Sequence, residues 1–235
     1  MYIAIYGIII LAIILCIIPM STGFIAALGL IVAAIMIIVL AKRNFDLKQS
    51  MSKYPEDMRI IQNVKEGGVI KLANIDGYNE DLDLKVIGRN LYMEGDYSWY
   101  ELECLRNDGE KVWVDVDDDD NLLVSVVLKK ITLQDIKANA TSLERMDEEE
   151  SGTIYYDSVR YDYDDSGDAK FYKHCDDSKV EKLYYWDFKS NSGKYMISVE
   201  KWKSEEGKDD YVCYYSQIVK PMAITVYSTH GEEQK

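Results

Sequence analysis

The first 41 residues of the chain contain no Asp, Glu, Lys or Arg. Within them, two apolar runs, residues 2–18 and 24–41, flank a short segment from Pro19 to Gly23. At 1.5 Å per residue a helix of either run would span roughly 26 Å, close to the thickness of a bilayer core, and Pro and Gly end helices. Residues 1–43 are therefore predicted to form a transmembrane helical hairpin. A cleaved signal peptide is the competing interpretation, but it needs basic residues before the first run, and none is present.

The charges that follow the second run predict the orientation of this hairpin. Lys42 and Arg43 come directly after it, whereas the turn between the runs carries no charge. Positively charged flanks stay in the cytoplasm, so we expect a multi-pass protein of the cell membrane with both termini and the soluble domain cytoplasmic. Neither run contains an ionisable residue, which favours an anchor in the lipid bilayer over a channel or a pump.

The rest of the chain is more polar, and from residue 67 its apolar side chains recur at every second position. Residues 44–66 are predicted to be a tether and a short helix that begins at Pro55. Residues 67–230 alternate apolar and polar side chains between turn signals such as Asn107–Gly109. This pattern predicts a mainly β protein, an antiparallel β roll or barrel-like domain with minor helix, which the polar segment at residues 138–152 could divide into two lobes. Residues 231–235 would form a tail.

The charge and the cysteines exclude several functional classes. The net charge of −14 is opposite to what binding to the phosphates of nucleic acids requires, and it favours a basic protein partner. Four cysteines without a Cys-x-x-Cys motif, and only two histidines, do not form a standard zinc site, and they suit a reducing cytoplasm. No nucleophile elbow, phosphate-binding loop or dinucleotide-binding glycine pattern is present, so we expect no cofactor.

Two acidic clusters could hold a divalent cation. The first half of a calcium-binding EF-hand loop is matched by Asp162, Asp164, Ser166 and Asp168, but Lys173 replaces the bidentate Glu at position twelve. A hairpin turn is therefore the favoured interpretation, and a calcium site is the alternative. The second cluster, residues 115–121, is interpreted as a solvated edge or loop.

Trp99, Glu101 and Trp113 are the candidate binding residues of the β domain. Glu101 lies two positions from Trp99 and would share its face of a strand. A carboxylate beside tryptophans can be a buried functional acid. Because large aromatic side chains usually fill cores, a structural role is the favoured interpretation.

Residues 67–128 resemble a bacterial family catalogued as domain of unknown function 4178. The resemblance rests on short motifs: Gly67-Gly68-Val69-Ile70, Tyr78, Leu84 to Ile87, Trp99-x-Glu101, Gly109 and Trp113-Val114. The family pattern Trp-x-Glu-Tyr is broken here by Leu102. The resemblance implies an accessory protein without assigned catalytic residues, in some members attached to membrane segments and linked by gene neighbourhood to membrane-stress proteins of the phage-shock type.

The leading functional hypothesis is a non-enzymatic, membrane-anchored accessory or scaffold protein whose acidic domain binds a protein partner or a ligand. The alternatives are a membrane-tethered enzyme or small-molecule sensor with an enclosed pocket, and a calcium-dependent binding module. A deep pocket with converging polar groups would favour the enzyme or sensor. A filled barrel with an exposed apolar patch would favour a protein partner.

Overall fold

A computed structural model describes residues 58–118, 121–203 and 208–231, together with Val32, Ile35 and Met36. The chain divides into two units, residues 1–53 and 54–235. In the first unit the three described residues are helical and exposed. The rest of the predicted hairpin, most of the tether and the tail after residue 231 lie outside the described residues. No described helix is both long and apolar enough to cross a bilayer.

The second unit is mainly β and antiparallel with little helix, as the period of two predicts. Its strands and its one described α-helix are β1 (Val69–Leu72), β2 (Leu82–Glu94), β3 (Tyr97–Arg106), β4 (Lys111–Asp118), β5 (Leu122–Ile131), α1 (Ala140–Glu148), β6 (Thr153–Tyr156), β7 (Val159–Tyr172), β8 (Val180–Ser190), β9 (Tyr195–Lys203), β10 (Asp209–Val219) and β11 (Ile224–Ser228). Short 3-10 turns occur at Ile61–Asn63, Lys173–Cys175 and Pro221–Ala223. The helix predicted from Pro55 is, in its described part, only the first of these turns.

Eight of the strands close into a barrel. The order around it is β2-β3-β4-β5-β10-β9-β8-β7, and β7 returns to pair with β2. That closing contact aligns Leu91 with Tyr172 and Tyr92 with Phe171. The two long strands β2 and β7 each also pair with strands outside the ring, since β1 and β11 extend the sheet beside β2 and β6 pairs with β7. Closure removes the free edges of the central strands, which otherwise attract other chains.

Two predicted turns have different outcomes. The segment Asn107–Gly109 does form the hairpin turn between β3 and β4, and Gly109 takes the left-handed conformation with φ of +88°. In contrast, the hairpin turn predicted for Asp162 to Asp168 does not form, and this segment, with its Asp165-Ser166-Gly167 signal, lies inside the continuous strand β7. Gly167 leaves room there for the carboxylate of Glu94, which a Cβ atom at this position would displace.

The segment at residues 138–152 contains α1. The side chain of Asn139 accepts a hydrogen bond from the backbone N–H of Ser142 (3.0 Å), and the Ser142 hydroxyl accepts one from the Asn139 N–H (2.9 Å). These reciprocal bonds satisfy donors that the first turn of a helix leaves free. Leu143 and Met146 then pack into a buried cluster on the barrel wall. Strands from both sides of this segment belong to the same ring.

Most of the apolar core lies outside the barrel wall, and a smaller buried cluster, Tyr92, Ala169, Leu183 and Tyr185, lies inside it. On β3, Tyr100, Leu102 and Cys104 are buried on the outer face, and the residues between them point into the ring. One outer core covers β2 to β5, where the 3-10 turn at Ile61–Asn63 packs against β4. The other lies under α1, with the buried members Ile131, Ile136, Leu143, Met146, Ile154, Tyr161, Trp186, Phe188, Ile197, Val199 and Cys213. Many of the strand positions that point into the ring can therefore be polar.

Candidate binding site in the barrel lumen

The lumen contains a cavity and a wider vestibule that have five lining residues in common. The inner cavity has a volume of about 130 Å³, and the vestibule at one end of the barrel has a volume of about 650 Å³. Residues that line both are Tyr92, Glu101, Val127, Glu200 and Tyr214. An engineered cavity of roughly 150 Å³ accepts benzene, so the inner cavity has room for a group of about six heavy atoms.

Of the carboxyl groups that line this cavity, four come from four different strands: Glu101 on β3, Asp115 on β4, Asp187 on β8 and Glu200 on β9. Glu101 and Asp115 are directly opposite each other across two neighbouring strands. Each carboxyl group accepts a hydrogen bond from a neutral donor, and Glu200 accepts a second one from the Tyr92 hydroxyl. Asn90 Nδ2 donates to Glu101 (2.8 Å), and Ser125 Oγ donates to Asp115 (3.0 Å). Trp202 Nε1 donates to Glu200 (2.9 Å), and the side chain of Ser198 donates to Asp187.

The enclosure raises the pKa of all four carboxyl groups. The side chains are half-buried by surface area because the cavity can hold water, but the barrel wall surrounds them. Burial is the main cause, and it raises the pKa of Asp187 to about 7 and that of Glu200 to about 8. Glu101 and Asp115 also have strongly raised pKa values, because burial and the repulsion of neighbouring carboxylates both disfavour the charged form.

An aromatic row crosses the same lumen. Trp99 stacks between Tyr97 and Tyr92, with ring centroids 5.4 Å and 5.2 Å away. Tyr92 contacts Phe171 at 5.0 Å, and Phe171 contacts Trp202 at 5.4 Å. The row leads from the inner cavity, which Tyr97 lines, to the vestibule, which Trp202 lines. The lumen therefore contains aromatic rings and carboxyl groups together.

The three candidate binding residues from the sequence all face the lumen. Trp99 lines the inner cavity, Trp113 lines the vestibule, and Glu101 lies where the two meet. Sequence reasoning missed Asp187 and Glu200, and it interpreted Asp115 as part of a solvated edge. These residues occupy the alternate positions of β4, β8 and β9 that face the lumen. Because those positions are polar, the sequence pattern alone assigns them to the solvent-exposed face.

The four candidate calcium ligands do not form a loop. All lie along the extended strand β7, where an EF-hand loop would have to curl around the ion. Asp162 is bound by Arg160 and Thr153, Asp164 pairs with Lys189 at 2.7 Å, and Ser166 bonds the hydroxyl of Tyr163 at 2.8 Å. Asp168 lies opposite Tyr184 on β8 and is exposed. The described residues contain no group of three or more His, Cys, Asp or Glu side chains placed to hold a metal ion.

Comparison with known proteins gives one match. Residues 80–221 match the family described as "Domain of unknown function (DUF4178)". No curated protein and no solved structure matches the chain. The matched segment contains all eight strands of the barrel and all four lumen carboxyl groups, whereas β1 and β11 lie outside it. The chain therefore belongs to the DUF4178 family.

Proposed function

We propose that the barrel is a ligand-binding module that takes a small molecule with a positively charged group into its lumen. The observation that carries this proposal is the inner cavity itself, a space of about 130 Å³ in which four carboxyl groups converge beside aromatic rings. A pocket of this kind is the usual form of a small-molecule site. Of the two main hypotheses from the sequence, it favours a sensor with an enclosed pocket over a scaffold for a protein partner.

Charge and hydrogen bonding both argue for a cationic ligand. Among the described residues lining the inner cavity, Lys189 is the only basic one, and Asp164 already pairs with it. Within the described part of the chain, none of the four carboxyl groups forms an ion pair, which is costly for a buried charge. An ammonium group would supply both the positive charge and three hydrogen-bond donors.

The membrane anchor completes the proposal. The hairpin predicted for residues 1–43 would hold the binding module at the cytoplasmic face of the cell membrane, as expected of an accessory protein in a membrane-stress system. A wider groove of about 960 Å³ between residues 76–83 and the β3–β4 hairpin is acidic and open. It is the surface to which a basic protein partner, the other hypothesis, would bind.

An enzymatic role is the second candidate because Glu101 and Asp115 lie opposite each other in the cavity. Two neighbouring carboxyl groups with raised pKa values can act as an acid and a base. No nucleophile or cofactor motif accompanies them, so binding remains the first proposal. Turnover of a bound amine, lost in a folded Glu101→Gln variant, would establish the enzymatic alternative instead.

Calorimetric titration of the full-length chain in non-ionic detergent tests the binding proposal. At pH 8 we expect pentylamine to bind saturably and 1-pentanol, which has the same carbon chain, not to bind. Loss of a charged hydrogen-bond partner costs roughly 1.5–3 kcal/mol, so Glu200→Gln should weaken amine binding at least about tenfold. The matched control is Glu144→Gln, at an exposed position on α1.

Two results would contradict the proposal: equal binding of the amine and the alcohol, or unchanged amine binding in a folded Glu200→Gln variant. Tryptophan fluorescence reports the folding of each variant, because all four tryptophans lie in the barrel strands. Glu101→Gln serves as a second lumen variant if Glu200→Gln does not fold.

A further inference from the structure

The two ends of the lumen differ in charge. The inner cavity is lined at its far side by Asp117, Asp164 and Asp165. The vestibule at the other end is bordered instead by four lysines: Lys111, Lys129, Lys130 and Lys173. In a chain with a net charge of −14, such a group of ammonium ions around one opening differs from the rest of the surface.

Three of these lysines form no ion pair with the described part of the chain. Lys111 pairs with Glu103, and Glu110 at the same opening is held by Arg106. No described carboxylate lies within 4.0 Å of the ammonium groups of the others, Lys129, Lys130 and Lys173, and all three are exposed.

The remaining carboxylates of the vestibule do not balance these lysines. Glu101 and Glu200 lie deep in the lumen, where the vestibule meets the cavity. At the rim, Glu181 is the one carboxylate without an ion pair among the described residues. Three unpaired ammonium groups against one such carboxylate leave an excess of positive charge at the opening.

The cavity and the vestibule are also adjacent. Five residues line both spaces, and the contact of Phe171 with Trp202 extends the aromatic row into the vestibule. An elongated molecule could therefore lie along the row with one end in the cavity and the other among the lysines. Opposite charges at its two ends would match the two ends of the lumen.

We propose that the ligand is a zwitterion, with an ammonium group held between the carboxyl groups of the cavity and an anionic group, carboxylate or phosphate, held by Lys129, Lys130 and Lys173 at the vestibule. This inference rests on the proposed function, because it assigns the second end of the same ligand. It adds that the site discriminates against simple amines, since only a molecule with both charges satisfies both ends.

The test compares three probes that share one five-carbon chain: pentylamine, 5-amino-1-pentanol and 5-aminopentanoate. Calorimetry on the full-length chain in non-ionic detergent should show 5-aminopentanoate binding about threefold to tenfold more tightly than 5-amino-1-pentanol, the range expected for added charge pairs at an exposed rim. The ratio should fall towards one in Lys129→Gln/Lys130→Gln and should persist in Lys220→Gln, an exposed control outside the vestibule.

The outcomes separate this inference from the proposed function. If the amine and the amino alcohol bind but the carboxylate adds no affinity, or if the ratio survives in the double variant, the zwitterion is refuted while cation binding stands. If no amine binds, both fail. Because each variant is judged by the ratio of two ligands, a general loss of affinity does not imitate the expected result.

The same chemistry occurs in a free metabolite and in a zwitterionic lipid headgroup, and a pair of phosphate probes separates the two sources. O-phosphoethanolamine represents a free molecule, and sn-glycero-3-phosphoethanolamine represents a headgroup with its glycerol attached. Tighter binding of the first indicates a soluble ligand, and tighter binding of the second indicates a lipid; both results require the zwitterionic site. If neither probe displaced bound 5-aminopentanoate, the proposal that the lysines hold a phosphate group would be contradicted.

Discussion

Between pH 8 and pH 5 the free energy of unfolding of the chain should rise by at least about 3 kcal/mol. Burial raises the pKa of Asp187 to about 7 and of Glu200 to about 8, from 3.8 and 4.5. Each group therefore binds its proton more tightly in the folded state. The contribution of each group to the free energy of unfolding is complete below its pKa in the unfolded state and is lost as the pH rises through its pKa in the folded state. Each tenfold gain in proton affinity contributes about 1.4 kcal/mol.

Groups whose pKa is lowered on folding affect the stability of the chain in a lower pH range. Asp76, Asp81, Asp135, Asp162 and Asp176 have lowered pKa values because they accept hydrogen bonds from neighbouring donors. Their stabilisation is lost only as the pH falls below about 4. Urea unfolding at constant ionic strength, followed by tryptophan fluorescence, measures the pH dependence. Glu200→Gln should flatten it, and a wild-type stability that is constant or increases from pH 5 to pH 8 would contradict the buried carboxyl cluster.

Neighbouring residues on β8 should respond to substitution in opposite directions. Phe188 is fully buried in the outer core under α1, so Phe188→Ala should destabilise the chain by about 3–5 kcal/mol. Asp187 points into the lumen, where its ionised form is costly at pH 8. Asp187→Asn keeps an acceptor for Ser198 and removes the charge, so it should stabilise the chain at pH 8 by about 2–4 kcal/mol and have little effect at pH 5.

Urea unfolding of both variants at the two pH values checks this contrast. Met196 lines the same cavity from β9, and Met196→Leu is a control that keeps the lumen apolar there and should change stability by less than about 1.5 kcal/mol at either pH. If Asp187→Asn destabilised the chain at pH 8 as much as Phe188→Ala does, the assignment of a polar interior and an apolar exterior to the barrel would be wrong.

The period of two predicted the strands but not which face is inside. Alternation shows that Trp99 and Glu101 share one face and that Tyr100 and Leu102 share the other. In an ordinary sheet the apolar face is the core and the acidic face is solvated, and this assumption placed Asp115 at a solvated edge. Closure of the barrel reverses the assignment, because the apolar phase packs against other segments outside the ring and the acidic phase encloses a cavity.

Long-range pairing explains the rest of what the sequence did not predict. Glu200 lies about a hundred residues after Glu101, and the two face one cavity only because β10 pairs with β5 and β7 returns to β2. No local pattern encodes those pairings. The Asp-Ser-Gly signal at residues 165–167 failed for a related reason: the glycine accommodates a carboxylate from β2, a tertiary contact, and not a turn.

Methyl resonances of the full-length chain in non-ionic detergent test the central claim most directly, since methyl groups lie on both faces of the wall. Val127 on β5 and Met196 on β9 line the cavity, and Val126, the neighbour of Val127, is buried on the outer face. On titration with pentylamine at pH 8, the methyl signals of Val127 and Met196 should shift and saturate while that of Val126 stays nearly unchanged. Shifts confined to outer methyl groups, or no saturable shift at the lumen, would contradict a ligand site inside the barrel.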